Sequence, residues 1–589
     1  MQKQINDHRS PGGVIAIVKD GRLIYAQGYG YADVENRTPV VADETLFRIG
    51  SCSKDLTAMA AMQLVEQGRL GLDTDVNAYL KDFQVPNSSY GPITLNELMA
   101  HTAGFEVQDA CGKATVIDPS KMQPLRDYIA HDAPTRVRPP GEVTSYSNYG
   151  VALEGYVVEQ VSGLSYDQYM DQNIFAPCAM HNSTSRQPVP GNLLPRLAKG
   201  YFYSGGDYRA GSFEYVVPAP AGSISATATD MAHYLIARLD GGRYDNGSVL
   251  NGSTAVRMLT RQFSNDPRLN GMAYGMVEMN INGKRVLFKN GDTQLFHSLM
   301  CLLPDDDLGV FVSFNGDQGT QAYLKVLEGI FNRYYPVGSL SAPVPLVGYK
   351  DRAQGYAGTY FSTRTAYTTI EKVVGGMSQQ YTVTANPNGT ISLAGLTFVE
   401  VQPGYFEQLN GTSNLVFRDS PDGRTHYLFI GSDPEGGSLV KAEWYQTASF
   451  HMILLALCLL TFHSALITWP VSWLLGRRKN RAADRIQMLA KWVAGLACAL
   501  GIGFVLGFLL LLVTSYNDLA YGAPISLLVV LTMPIVATML TMVTIGFTAL
   551  AWNRRYWSLP GRIHYTLVTI ALVVFLWSLN FWNLLGYKF

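Results

Sequence analysis

The chain has 589 residues, 45 Lys+Arg against 46 Asp+Glu, a formal net charge of −1 and only 15% charged residues. It is too long for one ordinary domain, and its two ends differ in character. With no basic block before residue 450, the balance argues against a nucleic-acid partner, and the low charge content traces to an apolar C-terminal part.

The first signal is a hairpin: two apolar runs, 14–19 and 22–28, flank Asp20-Gly21. Thr45-Leu46-Phe47-Arg48-Ile49-Gly50 then reads as a short extended approach to Ser51-Cys52-Ser53-Lys54. There the pattern turns helical, with Leu56, Met59, Met62, Leu64 and Val65 at mostly helical spacing until Gly68. Residues i and i+3 share a helix face, so Lys54 stands beside the Ser51 hydroxyl. The positive helix N-terminus favours a serine alkoxide and disfavours a second positive charge on Lys54. A lysine so placed can be neutral at working pH and take the serine proton. A bare S-x-x-K occurs about once by chance in a chain this long, and Ser438-Leu439-Val440-Lys441 is such a match. That second match follows Gly436-Gly437 in a β-like region, with no helix to present the pair.

Residues 51–240 read as helical segments broken by loops. Within them, Tyr146-Ser147-Asn148 follows the loop signal Arg138-Pro139-Pro140-Gly141. A tyrosine near a lysine loses its proton more easily and can shuttle it to a leaving group. Tyr244-Asp245-Asn246 has the same spacing but reads as a turn. Lys289-Asn290-Gly291 ends the apolar run Val286-Leu287-Phe288. An edge strand there could aim the Asp292 backbone amide at a carbonyl under attack and complete an oxyanion hole with the Ser51 amide. Runs 299–303 and 309–314, joined around Pro304-Asp305-Asp306-Asp307, give a further hairpin.

Ser339-Leu340-Ser341-Ala342-Pro343-Val344-Pro345 is a linker by composition. From 347 to 445, short β-rich runs alternate with turns such as Asn386-Pro387-Asn388-Gly389 and Pro421-Asp422-Gly423, the cadence of a small antiparallel barrel or sandwich. No catalytic constellation is visible in this part, so its expected role is a structural spacer, with a lid over the cleft as the alternative. Four apolar stretches follow, 450–475, 492–515, 525–552 and 565–585, each long enough to span a ~30 Å hydrocarbon core. Arg477, Arg478, Lys479, Arg481 and Arg485 follow the first; Arg554, Arg555 and Arg562 follow the third; residues 516–524 carry one acid and no base. The positive-inside rule puts both basic loops in the cytoplasm and residues 1–449 outside it. The opening Met1-Gln2-Lys3-Gln4-Ile5-Asn6 has no apolar h-region, so this topology implies a leader missing from the sequence. His463 falls mid-span, where a neutral histidine bonded to a neighbouring helix is expected.

Cys52, Cys178 and Cys301 are expected as buried core thiols, and Cys458 and Cys498 lie in spans. Cys111 could pair, though no spacing demands a disulfide. No Cys/His/carboxylate cluster has metal-ligand spacing, so neither metal nor cofactor is expected.

The ordered triple Ser51-x-x-Lys54, Tyr146-x-Asn148 and Lys289-Asn290-Gly291 is the strong signal. Around it stand Phe47-Arg48-Ile49-Gly50, Leu98-Met99-Ala100-His101-Thr102-Ala103-Gly104, Pro220-Ala221-Gly222-Ser223-Ile224-Ser225, Thr229-Asp230-Met231 and Leu303-Pro304-Asp305. On these residues the chain, over 1–335, resembles the serine β-lactamase and penicillin-binding-protein superfamily. It is most similar to the branch holding class C β-lactamases, D-alanyl-D-alanine carboxypeptidases, D-aminopeptidases and family VIII carboxylesterases. The resemblance implies an α+β fold, an antiparallel sheet with a helical lobe and the cleft between them. It implies Ser51 as nucleophile, Lys54 as base and Tyr146 as proton shuttle, with Asn148 and Lys289 polarising the substrate and Gly291 and Asp292 beside the oxyanion. A lysine at 289, where many relatives carry histidine, could hold a substrate carboxylate. The His101 segment is implied to be a structural turn. The β-rich part looks like the lipocalin-like domains attached to some relatives.

The expected organisation is therefore a hydrolase domain over 1–338, a small β domain over 346–446 and a four-helix membrane region over 450–589. The expected activity is that of a hydrolase in a bacterial-type cytoplasmic membrane, acting through a Ser51 acyl-enzyme on small peptides, including those with a D-residue. A carboxylesterase on short acyl esters, a β-lactam sensor that stays acylated, and a transporter or scaffold with a vestigial site are the alternatives. The expected partners are the peptide or ester substrate and the lipid bilayer; no export machinery is specified.

Overall fold

The structure, a computed structural model, describes residues 1–86, 89–338, 341–421, 423, 426–477, 485–515 and 518–589. Ser339 and Leu340 of the linker, Asp422 of the second β turn, Arg478, Lys479 and Arg481 of the first basic loop, and Tyr516 lie outside the described residues. The chain forms two compact units. One comprises Met1–Asp109, Lys113–Ala357 and Val383–Val440; the other comprises Ala110–Gly112, Gly358–Thr382 and Lys441–Phe589.

The first unit is built on a seven-stranded sheet. Its strands are β1 (Gly12–Lys19), β2 (Arg22–Asp33), β3 (Thr38–Pro39), β4 (Val277–Ile281), β5 (Lys284–Asp292), β6 (His297–Leu303) and β7 (Leu308–Phe314). They lie in the order β4-β5-β6-β7-β1-β2-β3. Both expected hairpins form. Asp20 (φ 49°) and Gly21 (φ 68°) adopt the left-handed turn that matches strand twist and pairs Lys19 with Arg22. Asp307 (φ 45°) closes the β6–β7 turn, pairing Leu303 with Leu308. Every residue of β6 is buried, as a strand covered on both faces requires. One cover is α4 (Gly319–Tyr334), whose Ala322, Tyr323, Leu327 and Phe331 pack with Leu299, Cys301 and Val312. The other is the helical lobe, which includes α1 (Ser53–Glu66), α2 (Asn148–Ser162) and α3 (Ala228–Leu239). Every α1 residue from Ser53 to Leu64 is buried, so this helix runs through the core rather than along a surface.

The expected edge strand at Lys289 needs correcting. β5 is interior to the sheet, but β4 pairs only with residues 284–288 and stops. Residues 289–292 therefore have β6 on one side and the turn around Ser51 on the other.

The β-rich part is a closed eight-stranded barrel, and closure removes the exposed edges a sandwich would leave. Its strands are β8 (Gly358–Ser362), β9 (Gln380–Ala385), β10 (Ile391–Leu393), β11 (Leu396–Gln402), β12 (Tyr405–Gln408), β13 (Asn414–Asp419), β14 (His426–Ile430) and β15 (Ser438–Lys441). The chance match Ser438–Lys441 is thus strand β15, as its context predicts. Within the first unit, Val416, Tyr427 and Phe429 of the barrel form one apolar cluster with Val143 and Leu269. Arg418 reinforces it by donating to the Asn265 carbonyl (2.6 Å) and the Glu142 carbonyl (3.1 Å).

The second unit contains four helices long and apolar enough to cross a membrane: α5 (Ala448–Arg477), α6 (Arg485–Thr514), α7 (Ile525–Asn553) and α8 (Leu559–Phe581). On α6, Ala490, Ala494, Ala497, Cys498 and Gly501 form a buried face of small residues that lets neighbouring helices approach. Among the described residues, His463 has no bond to a neighbouring helix. It is exposed, and its Nδ1 lies 2.7 Å from the Leu459 carbonyl one turn back on the same helix. The interhelical histidine contacts belong instead to His451, 2.7 Å from the Ser578 hydroxyl, and His564, which meets Ser464 (2.9 Å) and accepts from the Trp469 indole (3.1 Å).

Candidate active site

Ser51 sits in a tight turn, Gly50–Cys52, that runs directly into α1. Gly50 is at φ 52°, and a Cβ there would lie 2.8 Å from the Gly291 carbonyl carbon and 2.9 Å from the Asp292 nitrogen. Only glycine permits both the left-handed turn and this approach of β5. The helical step then places the Lys54 Nζ 2.9 Å from the Ser51 Oγ, where it also donates to the Ala221 carbonyl at 2.7 Å. The Tyr146 hydroxyl closes on the same Oγ from another side, at 2.6 Å. Lys54 and Tyr146 are buried, whereas Ser51 is half-exposed.

The Tyr146 ring is packed among two amines and an imidazole. The Nζ atoms of Lys54 and Lys289 each lie 4.8 Å from its centroid, and the His101 ring lies 4.8 Å away, tilted by 52°. The phenol and the two amines thus share one site, where a proton can pass between them. Asn148 is the first residue of α2, whose start is capped by the Ser147 hydroxyl accepting from Gly150 (3.0 Å). Its amide donates to both carboxylate oxygens of Asp109 at 3.2 Å. Tyr146, Asn148, Asp109 and Glu106 share the lining of one small depression.

Gly291 makes the contact that joins the sheet to the Ser51 turn. A Cβ on it would lie 1.9 Å from the Ile49 carbonyl and 2.7 Å from the backbone nitrogens of both Ser51 and Cys52. The Asp292 side chain turns away from this turn to His297 (2.7 Å), Thr320 (2.8 Å) and Tyr323 (3.2 Å). Asp292 thus reaches the Ser51 turn through its backbone. Lys289, buried, forms an ion pair with Glu435. Asp55, next to Lys54, is held by Tyr234 (2.6 Å) and Arg238 (3.1 Å).

Two residues outside the sequence-based site belong to this geometry. His101, read as part of a structural turn, is indeed in a left-handed turn (φ 56°), but it also touches Tyr146 and lies 3.3 Å from Glu435. Burial pushes its imidazole down to about 4, with Glu435 opposing and Lys289 and Lys54 adding to the shift. The ring is therefore neutral near pH 7. The Ser147 amide donates to Nδ1, which leaves the proton on Nε2, facing Glu435. Glu435 lies in the β14–β15 loop, in a part of the chain with no legible chemistry. Its only sequence signal is an acid between Pro434 and Gly436-Gly437.

Glu154 of α2 lies behind the site, 1% exposed, and its Oε1 has no hydrogen-bond partner among the described residues. Burial and then the Asp55 charge push its carboxyl well above the usual carboxylate range, with Lys54 opposing. In the unfolded chain it ionises near 4.5, so folding takes up a proton, and stability falls as pH rises from there through the raised native value. Glu154→Gln should stabilise the protein by about 1–3 kcal/mol at pH 8 and by little at pH 4. Calorimetric unfolding at both pH values checks this, and equal effects at the two would contradict it.

An antiparallel sheet carrying a helical lobe, with Ser51, Lys54 and Tyr146 in mutual contact, defines a serine hydrolase fold of the β-lactamase and penicillin-binding-protein type. The family model described as Beta-lactamase matches residues 1–331, and the chain belongs to that family. Protein flp of Staphylococcus aureus (strain N315) is 25% identical over 310 residues, 52% of this chain and 59% of that protein. Penicillin-binding protein 4 of Amycolatopsis lactamdurans is 29% identical over 268 residues, 43% of this chain and 66% of that protein. The chain thus spans 59% of the length of the flp relative. Among solved structures, SurE with D-Leu superposes with a TM-score of 0.51 at 21% identity, over 75% of this chain and 97% of that one.

Proposed function

We propose that this chain is a membrane-anchored serine hydrolase that works through a Ser51 acyl-enzyme on small peptides or amides, including those with a D-residue. The observation that carries the reading is the Ser51 Oγ held between the Lys54 Nζ (2.9 Å) and the Tyr146 hydroxyl (2.6 Å). In the reaction, Ser51 attacks the carbonyl carbon while its proton passes to Lys54. The oxyanion forms against the backbone amides of Ser51 and Asp292. Collapse breaks the C–N bond as Tyr146 delivers its proton to the leaving nitrogen and takes up in turn the proton held by Lys54. Water, deprotonated by the same groups, then attacks the ester and regenerates Ser51. The inclusion of peptides with a D-residue is supported by the likeness to the fold of SurE, whose structure is known with D-Leu. The same machinery would cleave short acyl esters, and a carboxylesterase is the second reading.

Peptide mapping after exposure of the full chain to a fluorophosphonate and, separately, to a penicillin tests the proposal. We expect the Ser51 peptide to carry the phosphonyl group. A folded protein that remains unlabelled by the fluorophosphonate sinks the reading.

The four apolar helices and the basic residues after α5 and α7 support a bilayer anchor with residues 1–449 outside the cytoplasm. Added protease should therefore digest this part in intact cells. Protection until lysis would reverse the topology.

A further inference from the structure

Lys289 lies against the ring of Tyr146, the group that would protonate a leaving group, so whatever Lys289 binds belongs to the leaving-group side of a substrate. That position already holds a carboxylate. Glu435 pairs with Lys289, and the same Oε1 lies 3.3 Å from the His101 Nε2. The side chains are 2% exposed for Lys289, 4% for His101 and 14% for Glu435. Burial pushes the Glu435 carboxyl up, but the Lys289 charge and the His101 hydrogen bond outweigh it and hold the group below the usual range, ionised.

The loop that delivers Glu435 is fastened on both sides of it. The Asn270 amide donates to the Gly431 carbonyl at 2.9 Å and the Thr144 hydroxyl to the Pro434 carbonyl at 2.7 Å. Asn265 donates to the Ser438 hydroxyl at 3.0 Å. Inside the loop, Gly437 donates to the Asp433 carbonyl at 2.7 Å, and Gly436 to the Asp433 carboxylate at 2.9 Å. Thr144 is two residues from Tyr146, so the loop is fastened to the segment that carries the proton shuttle. A carboxylate fixed in this way is a built part of the cleft.

We infer that Glu435 is a specificity-determining residue: by neutralising Lys289 it sets the cleft against leaving groups that carry a free carboxylate and in favour of those ending in a neutral amide or ester. A second carboxylate would meet Glu435 at short range in a poorly solvated site, or would have to break a buried ion pair to enter. This inference rests on the hydrolase reading of Ser51.

The test uses two acyl thioesters, benzoylglycyl thioglycolate and benzoylglycyl thioglycolamide, which differ only in whether the leaving thiol ends in a carboxylate or an amide. The full chain should turn over the amide-ended probe with a kcat/KM about 10- to 100-fold above that of the carboxylate-ended one. Glu435→Gln, which keeps an acceptor for Lys289 and His101 but removes the charge, should raise kcat/KM on the carboxylate-ended probe about 10-fold or more and lift the amide-ended rate far less. Should that variant fold poorly, Glu435→Met with Lys289→Met removes both charges together and should bring the two probes within about 3-fold of each other. Equal rates, no turnover of either probe, or a carboxylate preference in unaltered protein whose Ser51 still takes the fluorophosphonate would overturn the inference alone. Absence of fluorophosphonate labelling would overturn the hydrolase reading and this inference with it.

Discussion

Ser51→Ala is expected to lower turnover of any acyl substrate by about 10⁴- to 10⁶-fold and to abolish covalent labelling, while leaving the fold intact. The size follows from how the site is arranged. Lys54 and Tyr146 both converge on the one hydroxyl, at 2.9 Å and 2.6 Å, and without it they have no proton to move. Ser51 is half-exposed at the mouth of the buried helix α1, so losing one oxygen leaves the α1 packing untouched. Residual rate would come from substrate binding and the backbone amides alone. Steady-state kinetics with intact-mass measurement checks the claim, and a purified variant retaining more than about one hundredth of the activity would overturn it.

Gly291→Ala is expected to be nearly as damaging, though the residue carries no functional group. The added Cβ would stand 1.9 Å from the Ile49 carbonyl and 2.7 Å from the Ser51 and Cys52 nitrogens, distances that no rotamer can relieve because all three atoms are backbone. β5 must move away from the nucleophile turn, separating the Ser51 amide from the Asp292 amide. A misplacement of about 1 Å in such a site costs about 10²-fold or more in kcat, and the overpacking about 1–3 kcal/mol in stability. Gly329→Ala in α4 is the control. Nothing lies within 4 Å of its added Cβ, so it should leave kcat unchanged and stabilise the helix by about 0.5–1 kcal/mol. A Gly291→Ala protein with unaltered kcat would remove the strand from the oxyanion site.

Much of this molecule is legible along the chain because local rules decide it. A helix start places Lys54 three residues after Ser51, and one helical turn makes their contact. Asp20-Gly21 and the acidic turn ending at Asp307 set hairpin registers, since left-handed turn residues determine how the flanking strands pair. The four apolar helices are visible because 18 or more apolar residues in succession have few other uses in a protein. Their ends were less well marked: α6 begins at Arg485 and α8 ends at Phe581. His463 was misplaced because helical periodicity alone does not say which face of a uniformly apolar helix meets its neighbours.

The motifs along the chain establish the family and single out the serine, lysine and tyrosine proposed here as its machinery. Each rests on residues close in the chain, or on motifs whose order identifies the family. What Lys289 faces is set by the three-dimensional fold alone. Glu435 is 146 residues away and reaches it through a barrel loop. That loop's position depends on Val416, Tyr427 and Phe429 packing against Val143 and Leu269 and on hydrogen bonds from Thr144, Asn265 and Asn270. No periodicity or motif encodes such a pairing, because it arises from two surfaces docking and not from the geometry of either chain segment.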